Sequence, residues 1–249
     1  MENSVEKNYF ERSYEILSYE CDLRGRLHPL TVFNFMQELA SNQADQLGFS
    51  VQKLMKHKMT WVLSRIHLKL NDILYWQDKF IGRTWPSGIQ GRFALRDFQF
   101  FNSGGKIIGN ATSSWMIIDI EKRKPVKLEN IIDINSYIAG DRSLPDEFQP
   151  LPDLNSFENE KKFQVRYSDL DINRHVNHVA YIDWALEAVP PDILLKKYPI
   201  EIEVGYRREV FYGDVVITRS TQLDDKTFIH QILSEKDQQE IARLRTTWE

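Results

Sequence analysis

At 249 residues, the chain is long enough for one large domain or for two of about 120 residues each, and a hydrophobic content of 42% is enough to bury a core. The net charge of −4 gives no reason to expect nucleic acid as a partner, and the single cysteine, Cys21, excludes an intrachain disulfide. No segment has the pattern of a secretion signal or an apolar run near the ~18 residues that span a bilayer, so we expect a cytoplasmic protein without a membrane partner.

The first half of the chain predicts a short extended segment, one helix and then several strands. The helix is expected to begin near Pro29, because proline suits the first helical turn, and to end near Gly48. Apolar residues recur at helical spacing between these two positions. Further along, the segment FALRDFQFFNSGGKIIGNATSSWMIID predicts a β-hairpin that turns at residues 103–105, Ser-Gly-Gly.

The second half predicts the same order of elements after a linker. Residues 145–160 contain three prolines in a polar stretch and are expected to form that linker, which gives an N-terminal domain over residues 1–144 and a C-terminal domain over residues 161–249. A second helix is expected to end at Pro190-Pro191, and a second hairpin to turn near residues 235–238. One helix with an antiparallel sheet, present twice, predicts an α+β protein.

The two halves also share a weak sequence repeat. The segment CDLRGRLHPLTVFNFMQEL aligns with LDINRHVNHVAYIDWALEA, with an offset of 149 residues that places Asp22 on Asp171. IHLKLNDILYWQDKFI then aligns with IEVGYRREVFYGDVVI at an offset of 136, and SSW aligns with TTW at an offset of 133. Three matches in the same order favour a duplication whose second copy has shorter connections.

Directly before the second helix, Asp171, Asn173 and His175 occupy every second position. Such residues commonly cap helices or form turns, and this alternative stays open from the spacing alone. A calcium loop would require glycine where this chain has Arg174, and a zinc site built on His175 and His178 would lack further ligands nearby. We therefore expect neither a metal ion nor any other cofactor.

The repeat shows that these polar residues are not shared by both copies. The first copy has Asp22, Arg24, Arg26 and Ile73 at the positions of Asp171, Asn173, His175 and Glu209. If the residues only capped a helix, the first copy would need a similar set, so the second copy is predicted to hold a functional cluster. The alternative for Glu209 is a solvated position, paired with Arg207 or Arg208.

The motifs DLDINRHVNHVAYIDWALE, YRRE followed by YGD, and ATSSW resemble those of the acyl-ACP thioesterases, over nearly the whole chain. The resemblance implies two tandem hot-dog domains, each an antiparallel sheet wrapped around a long central helix, and hydrolysis of fatty acyl thioesters of acyl carrier protein. It implies Asp171, Asn173, His175 and Glu209 as the catalytic residues. Family members often have a cysteine directly after that glutamate, but this chain has Val210, which excludes a thiol nucleophile at that position.

Thioester hydrolysis needs an activated water or a nucleophile, and donors for the developing oxyanion. We expect Asn173 to position the carbonyl or the water, Asp171 and His175 to orient one another, and His175 to protonate the departing thiolate. Glu209 would activate water as general base. Direct attack by Asp171 or Glu209 to give an anhydride stays open, and the N–H groups near residues 176–179 at the helix entrance are expected to stabilise the oxyanion.

The resemblance also assigns the remaining substrate contacts. The first domain would hold the acyl chain in a tunnel without catalysing. Trp61, Trp76, Trp85 and Phe93 are candidates to line that tunnel, and the alternative that they belong to the ordinary core stays open. The acidic carrier protein would dock on cations near the tunnel mouth, for which the candidates are Arg174, Lys196, Lys197, Arg207 and Arg208. A homodimer is a further expectation, and chain-length preference is not readable from the sequence.

Three other functions remain as alternatives. An acyl-CoA thioesterase of the same fold would use the same catalytic residues with a different carrier. A hot-dog dehydratase would pair His175 with Asp183 or Glu187 on the helix. A non-catalytic protein that binds acyl thioesters would use the same cavity without turnover.

Overall fold

The computed structural model describes residues 9–131, 137–172 and 175–249. Its helices are α1 Pro29–Gln46, α2 Val51–Met55, α3 His178–Glu187 and α4 Pro191–Lys196. Its strands are β1 Phe10–Glu15, β2 Met59–Leu70, β3 Lys79–Gln90, β4 Phe93–Asn102, β5 Ile107–Asp119, β6 Lys124–Pro125, β7 Asn159–Gln164, β8 Pro199–Tyr206, β9 Val215–Gln222, β10 Thr227–Ser234 and β11 Glu240–Trp248. Short 3₁₀ turns occur at Ser18–Glu20, Leu128–Asn130 and Tyr167–Asp169.

The contacts divide the chain into two compact units. The first comprises Leu70–Asp146 and the described residues up to Ser64, and the second comprises Arg65–Lys69 and Glu147–Glu249. Each unit has one main helix and an antiparallel sheet, as the sequence predicts. None of the helices in the described parts of the chain is both long and apolar enough to cross a membrane.

In the first unit, α1 packs on a sheet in which β3, β4 and β5 are consecutive antiparallel neighbours, with β1 beside β3 and β6 beside β5. The helix begins at Pro29 as predicted, and the ring nitrogen Nδ1 of His28 caps it by accepting the N–H of Leu30 at 3.3 Å. The helix lies close to β3, because a Cβ atom on Gly82 would come within 2.7 Å of Leu39 Cδ1.

In the second unit, the strand order is β8-β11-β10-β9-β7, all antiparallel, and Arg65–Lys69 pairs with β8. α3 contacts β9, β10 and β11 and buries Ile182 and Ala185. It ends before the Pro190-Pro191 pair as predicted. The sequence analysis did not anticipate α4, which begins at Pro191, because a proline that stops one helix also suits the first turn of the next.

The predicted repeat is present in the hydrogen bonds as well as in the sequence. The indole N–H of Trp115 donates to Ser113 Oγ at 2.8 Å, and that of Trp248 donates to Thr246 Oγ1 at 2.8 Å. Equivalent backbone bonds also recur, from Leu27 N–H to Leu74 O in one copy and from Val176 N–H to Val210 O in the other. The two units are therefore copies of one local design.

The segment predicted to be the linker is not loose along its whole length. Leu151 is 6% exposed, and the guanidinium of Arg243 on β11 donates to the carbonyl oxygens of Leu151 and Pro152 at 3.3 and 3.0 Å. The last two residues of the predicted linker belong to β7, which begins at Asn159. Buried hydrogen bonds thus hold part of this proline-rich stretch against the second unit.

Candidate active site

The loop before α3 is closed by its own backbone and by Asp171. Leu170 and Val176 form a β-bridge, and the N–H of Asp171 donates to the carbonyl of His175 at 2.8 Å. In return, the N–H of His175 donates to Asp171 Oδ1 at 3.2 Å. The structure therefore brings Asp171 and His175 together through the backbone of the histidine. Asn173 lies outside the described residues.

Glu209 reaches the same loop from the segment that follows β8. Its Oε1 atom lies 3.5 Å from Nδ1 of His175, and the two side chains are 49% and 43% exposed. A carboxylate and an imidazole at this distance can exchange a proton while both stay accessible to a substrate. Arg207 and Arg208 pair with other carboxylates, so the alternative that Glu209 is their solvated partner is not observed.

The turn after Glu209 sets the direction of the segment. The N–H of Phe211 donates to Asp214 Oδ2 at 2.9 Å, and Gly213 has a φ of +85°, which glycine tolerates without strain. This turn places the Phe211 ring edge-on against the His175 ring, with centroids 5.8 Å apart. Phe211 therefore helps to orient the imidazole, a role that the sequence analysis did not assign.

The entrance of α3 differs from the expected oxyanion site. Asn177 caps the helix, and its Oδ1 accepts the N–H of Val179 at 3.1 Å. The N–H groups of Val176 and Asn177 also donate to backbone carbonyls. The expectation that the N–H groups of residues 176–179 stabilise the oxyanion is therefore wrong for three of the four. Of the four N–H groups of residues 176–179, that of His178 is the one for which the described residues provide no acceptor.

Three titratable side chains, to which the sequence analysis assigned no role, lie next to this loop and to the segment of Glu209. The hydroxyl of Tyr181 donates to the carbonyl of Arg208 at 3.4 Å, and that of Tyr206 donates to the carbonyl of His178 at 3.1 Å. Burial raises the pKa of both phenols and lowers the pKa of His178 to about 4. All three groups are therefore uncharged at neutral pH.

The repeat contained a signal for these side chains that the sequence analysis did not use. At the offsets of 149 and 136, the first copy has only apolar residues where the second has these three titratable groups. The equivalent pairs are Pro29 and His178, Val32 and Tyr181, and Leu70 and Tyr206.

In the equivalent loop of the first copy, the aspartate is bound by an arginine. Asp22 Oδ1 accepts the N–H of Arg26 at 3.0 Å, and its Oδ2 accepts from Arg26 Nε at 2.8 Å. Although burial acts to raise it, hydrogen bonds from Arg26 and Arg24 hold the pKa of Asp22 below its usual value. Asp22 is thus neutralised by an arginine, and Ile73 supplies no second carboxylate.

Cys21, next to this aspartate, is not an activated thiol. Its Sγ atom lies 3.5 Å from the carbonyl oxygen of Leu17. Burial and the negative charges of Asp22 and Glu20 raise the pKa of the thiol. A cysteine nucleophile needs the opposite environment, so Cys21 is not a candidate nucleophile.

The four aromatic residues expected to line an acyl tunnel have different environments in the first unit. Trp61 donates its indole N–H to Phe49 O at 2.8 Å and packs on a small apolar cluster. Trp85 is 3% exposed, and Phe93 is partly buried. Trp76 is 56% exposed, which is not the environment of a side chain enclosed within that unit.

The cations expected to dock the carrier protein are partnered within the chain, apart from Arg174, which lies outside the described residues. Lys196 pairs with Asp192 at 2.9 Å, Lys197 reaches the carbonyl of Asp225 at 3.3 Å, Arg207 pairs with Glu240 at 2.8 Å, and Arg208 pairs with Asp237 at 2.9 Å. Their charges are partly compensated, so a carrier would have to compete for them.

The dehydratase alternative required a helix carboxylate beside His175. Glu187 instead pairs with Lys161 at 3.2 Å, while the carboxylate that faces the imidazole comes from Glu209. Glu187 is therefore not the partner of His175, and the carboxylate beside the imidazole comes from outside the helix.

Comparison with known proteins identifies the family. The family descriptions of the acyl-ACP thioesterase N-terminal and C-terminal domains match residues 7–134 and 153–249. An oleoyl-acyl carrier protein thioesterase of Coriandrum sativum is 26% identical over 246 residues, 90% of this chain and 66% of the relative. A palmitoyl-acyl carrier protein thioesterase of Gossypium hirsutum is 28% identical over 261 residues, 96% of this chain and 63% of the relative. The chain thus spans about two thirds of the length of these two curated relatives.

Two solved structures agree closely with the fold. An acyl-ACP thioesterase from Bacteroides thetaiotaomicron has a TM-score of 0.88 at 26% identity, covering 97% of this chain and 98% of that one. A 12:0-ACP thioesterase from Umbellularia californica has a TM-score of 0.88 at 25% identity, covering 97% of each chain. The predicted α+β hot-dog fold is confirmed. Because the two family descriptions together match most of its length, this chain belongs to the acyl-ACP thioesterase family.

Proposed function

We propose that the protein hydrolyses the thioester of fatty acyl-acyl carrier protein and releases free fatty acid and the holo-carrier. The observation that carries this proposal is the contact of Glu209 with His175, which lies on a loop held by Asp171. Curated relatives named for oleoyl-, palmitoyl- and dodecanoyl-carrier protein substrates support the substrate class.

In the proposed mechanism, Glu209 is the general base and His175 the general acid. Glu209 takes a proton from a water molecule while the water oxygen attacks the thioester carbonyl. The tetrahedral oxyanion then collapses, the carbon–sulfur bond breaks, and the departing thiolate takes a proton from His175. The proton held by Glu209 passes across the 3.5 Å contact to His175, which restores both groups. Such transfers typically contribute ~10²–10⁴ in rate.

Asp171 is a positioning residue in this mechanism. One of its oxygens accepts the backbone N–H of His175, and Asp22 makes the same bond in the copy that lacks the other site residues. A bond that is present in both copies supports a role in loop geometry, and it disfavours Asp171 as the nucleophile of an anhydride route. Glu209 remains the candidate for that route. For Asn173 we keep the role of positioning the carbonyl or the water.

We assign the acyl chain to the N-terminal domain, residues 1–144, joined through residues 145–160 to a catalytic domain over residues 161–249. Trp61, Trp85 and Phe93 remain candidates for contact with the chain, whereas the exposure of Trp76 argues against it. Each buried methylene is worth about 0.8 kcal/mol, so two more carbons would change affinity by about fifteen-fold until the tunnel is full.

Docking of the acidic carrier is proposed to use the cations Lys196, Lys197, Arg207 and Arg208, and Arg174, the residue before His175 in the sequence. Exposed ion pairs are weak, so a highly charged carrier can displace the internal partners. The Michaelis constant for acyl-carrier protein should then rise with added salt, while that for a short acyl-N-acetylcysteamine thioester should not. A Michaelis constant that is insensitive to salt for both substrates would contradict electrostatic docking.

The proposed function is tested by comparing carriers and reactions. Purified protein is given acyl-carrier proteins of graded chain length, the matching acyl-CoAs and an enoyl thioester, and free acid, thiol and hydrated product are measured. We expect release of acid, with the highest kcat/KM on acyl-carrier protein. A preference for acyl-CoA would favour the alternative carrier, and tight binding without turnover would favour a binding protein.

Two further expectations stay predictions. A cytoplasmic location rests on the single cysteine and would be tested by fractionation of the source cells. A homodimer would be tested by the mass of the purified protein in solution.

A further inference from the structure

Tyr181 lies behind the candidate site, in the first turns of α3. It is 4% exposed, and its ring is held edge-on against Tyr206 at 5.4 Å and tilted against Trp184 at 5.5 Å. Its hydroxyl donates to the carbonyl of Arg208, the residue directly before Glu209. At 3.4 Å this bond is longer than usual, so its own contribution to stability is small. The same bond can nevertheless fix the direction of the backbone that carries Glu209.

The phenol is also close to both carboxylates of the site. Burial raises the pKa of Tyr181, a hydrogen bond from the Val210 backbone opposes this, and the charges of Glu209 and Asp171 raise it further. The hydroxyl therefore stays protonated, and remains a donor, throughout the neutral pH range. The hydroxyl of Tyr181 is thus hydrogen-bonded to the backbone of Arg208 and of Val210, the residues directly before and after Glu209.

The first copy shows what this helix position requires for folding alone. Val32 takes the place of Tyr181 and is 3% exposed in α1. In that copy Ile73 occupies the position equivalent to Glu209. A valine is thus sufficient to fill the space between helix and sheet, and the phenol is found where a glutamate has to be positioned.

We propose that Tyr181 is a positioning residue that holds the backbone of residues 208–210 so that the Glu209 carboxylate stays against His175. This inference rests on the proposed function, because it needs Glu209 to be the general base. It adds a residue that acts on the reaction only through Glu209.

The test is a double-mutant cycle of Tyr181→Phe and Glu209→Gln, with kcat and KM measured on acyl-carrier protein. Tyr181→Phe removes one hydroxyl and should lower kcat about ten-fold, because small displacements of a catalytic group are costly. KM should change less than about two-fold, since the phenol does not contact substrate. In the Glu209→Gln background, Tyr181→Phe should have no further effect on kcat, because the group it positions is already inactive.

Tyr198→Phe is the matched control. Tyr198 is another buried tyrosine and is 2% exposed. It lies directly before β8, whereas Tyr206 is the last residue of that strand, and its backbone pairs with that of Glu249. It should leave kcat unchanged. All chains are assayed at a temperature at which the least stable one is folded. Tyr181→Val, which introduces the residue of the first copy, is a second variant, and it should lower kcat at least as much as Tyr181→Phe.

Two outcomes would overturn the inference. The first is an unchanged kcat in both Tyr181 variants. The second is a loss that multiplies with that of Glu209→Gln, because it would mean that Tyr181 acts through general packing. Failure of the proposed function is recognised separately, since the unaltered protein would then release no acid from acyl-carrier protein. If only the assignment of Glu209 as the base fails, Glu209→Gln would turn over normally.

Discussion

The loops before the two main helices share a closing backbone hydrogen bond, from Asp22 to Arg26 and from Asp171 to His175, and differ in their chemistry. In each, an aspartate accepts the N–H of the residue four positions later, Asp22 from Arg26 and Asp171 from His175. In the first loop, the side chain at that later position is a guanidinium that neutralises the aspartate. In the second, it is an imidazole that faces Glu209. The comparison separates what the loop needs for folding, the aspartate, from what it needs for chemistry.

The largest effect is expected from Glu209→Gln. The change removes the base but keeps the size of the side chain, so kcat on acyl-carrier protein should fall about 10²–10⁴-fold. Because Glu209 is half-exposed, the melting temperature should change little. Glu160→Gln, which removes an exposed carboxylate paired with Arg219, is the control and should leave kcat unchanged.

The next largest effect is expected from His175→Arg, which gives the second loop the residue of the first. The new guanidinium can pair with Asp171, as Arg26 pairs with Asp22, so the protein should stay folded and as stable as before. Turnover should fall by about 10²-fold or more, because an arginine cannot protonate the thiolate. Activity within a few-fold of the original would mean that the imidazole is not the acid.

A smaller effect should distinguish the two aspartates. Asp22→Asn leaves the partly buried Arg26 without its ion-pair partner and should cost about 1–3 kcal/mol in the free energy of unfolding, with kcat unchanged. Asp171→Asn should lower kcat by moving the His175 backbone, because the N–H of His175 donates to its Oδ1. Equal effects of both changes on kcat would contradict the separation of folding from chemistry.

The last prediction concerns the pH dependence of stability. Burial lowers the pKa of His178 to about 4 and that of His230 to about 3, so both stay neutral in the folded protein below pH 6.5, where the unfolded chain takes up protons. The free energy of unfolding should therefore fall with pH from 6.5 towards these values, by about 1.4 kcal/mol per pH unit for each histidine. Urea unfolding at pH 7 and pH 5 measures this dependence, and His178→Asn should reduce it by one proton. An unchanged dependence would mean that His178 is not protonated on unfolding.

The repeat made much of this arrangement predictable from the sequence. Aligning the copies singled out His175 and Glu209, whose counterparts Arg26 and Ile73 cannot do the same chemistry, and the structure places them 3.5 Å apart. Helix and hairpin positions followed from proline, glycine and apolar spacing, which are local properties of the chain.

Other features depended on contacts that local patterns do not encode. Asn177 was not recognised as the cap of α3, so the N–H groups at the helix entrance were assigned to the substrate. Tyr181 was not singled out, because the acceptor of its hydrogen bond, the carbonyl of Arg208, is distant in sequence. The internal partners of Arg207 and Arg208 come from the β10–β11 hairpin, and sequence spacing gave no sign of them.

The most direct test measures kcat on acyl-carrier protein for His175→Ala, Glu209→Gln and the chain that carries both changes. If the two side chains form one proton-transfer unit, each single change should cost about 10²-fold or more, and the double change should cost little more than the worse single one. Near-normal rates in the single variants, or losses that multiply in the double variant, would contradict the assignment of the second loop as the hydrolytic site.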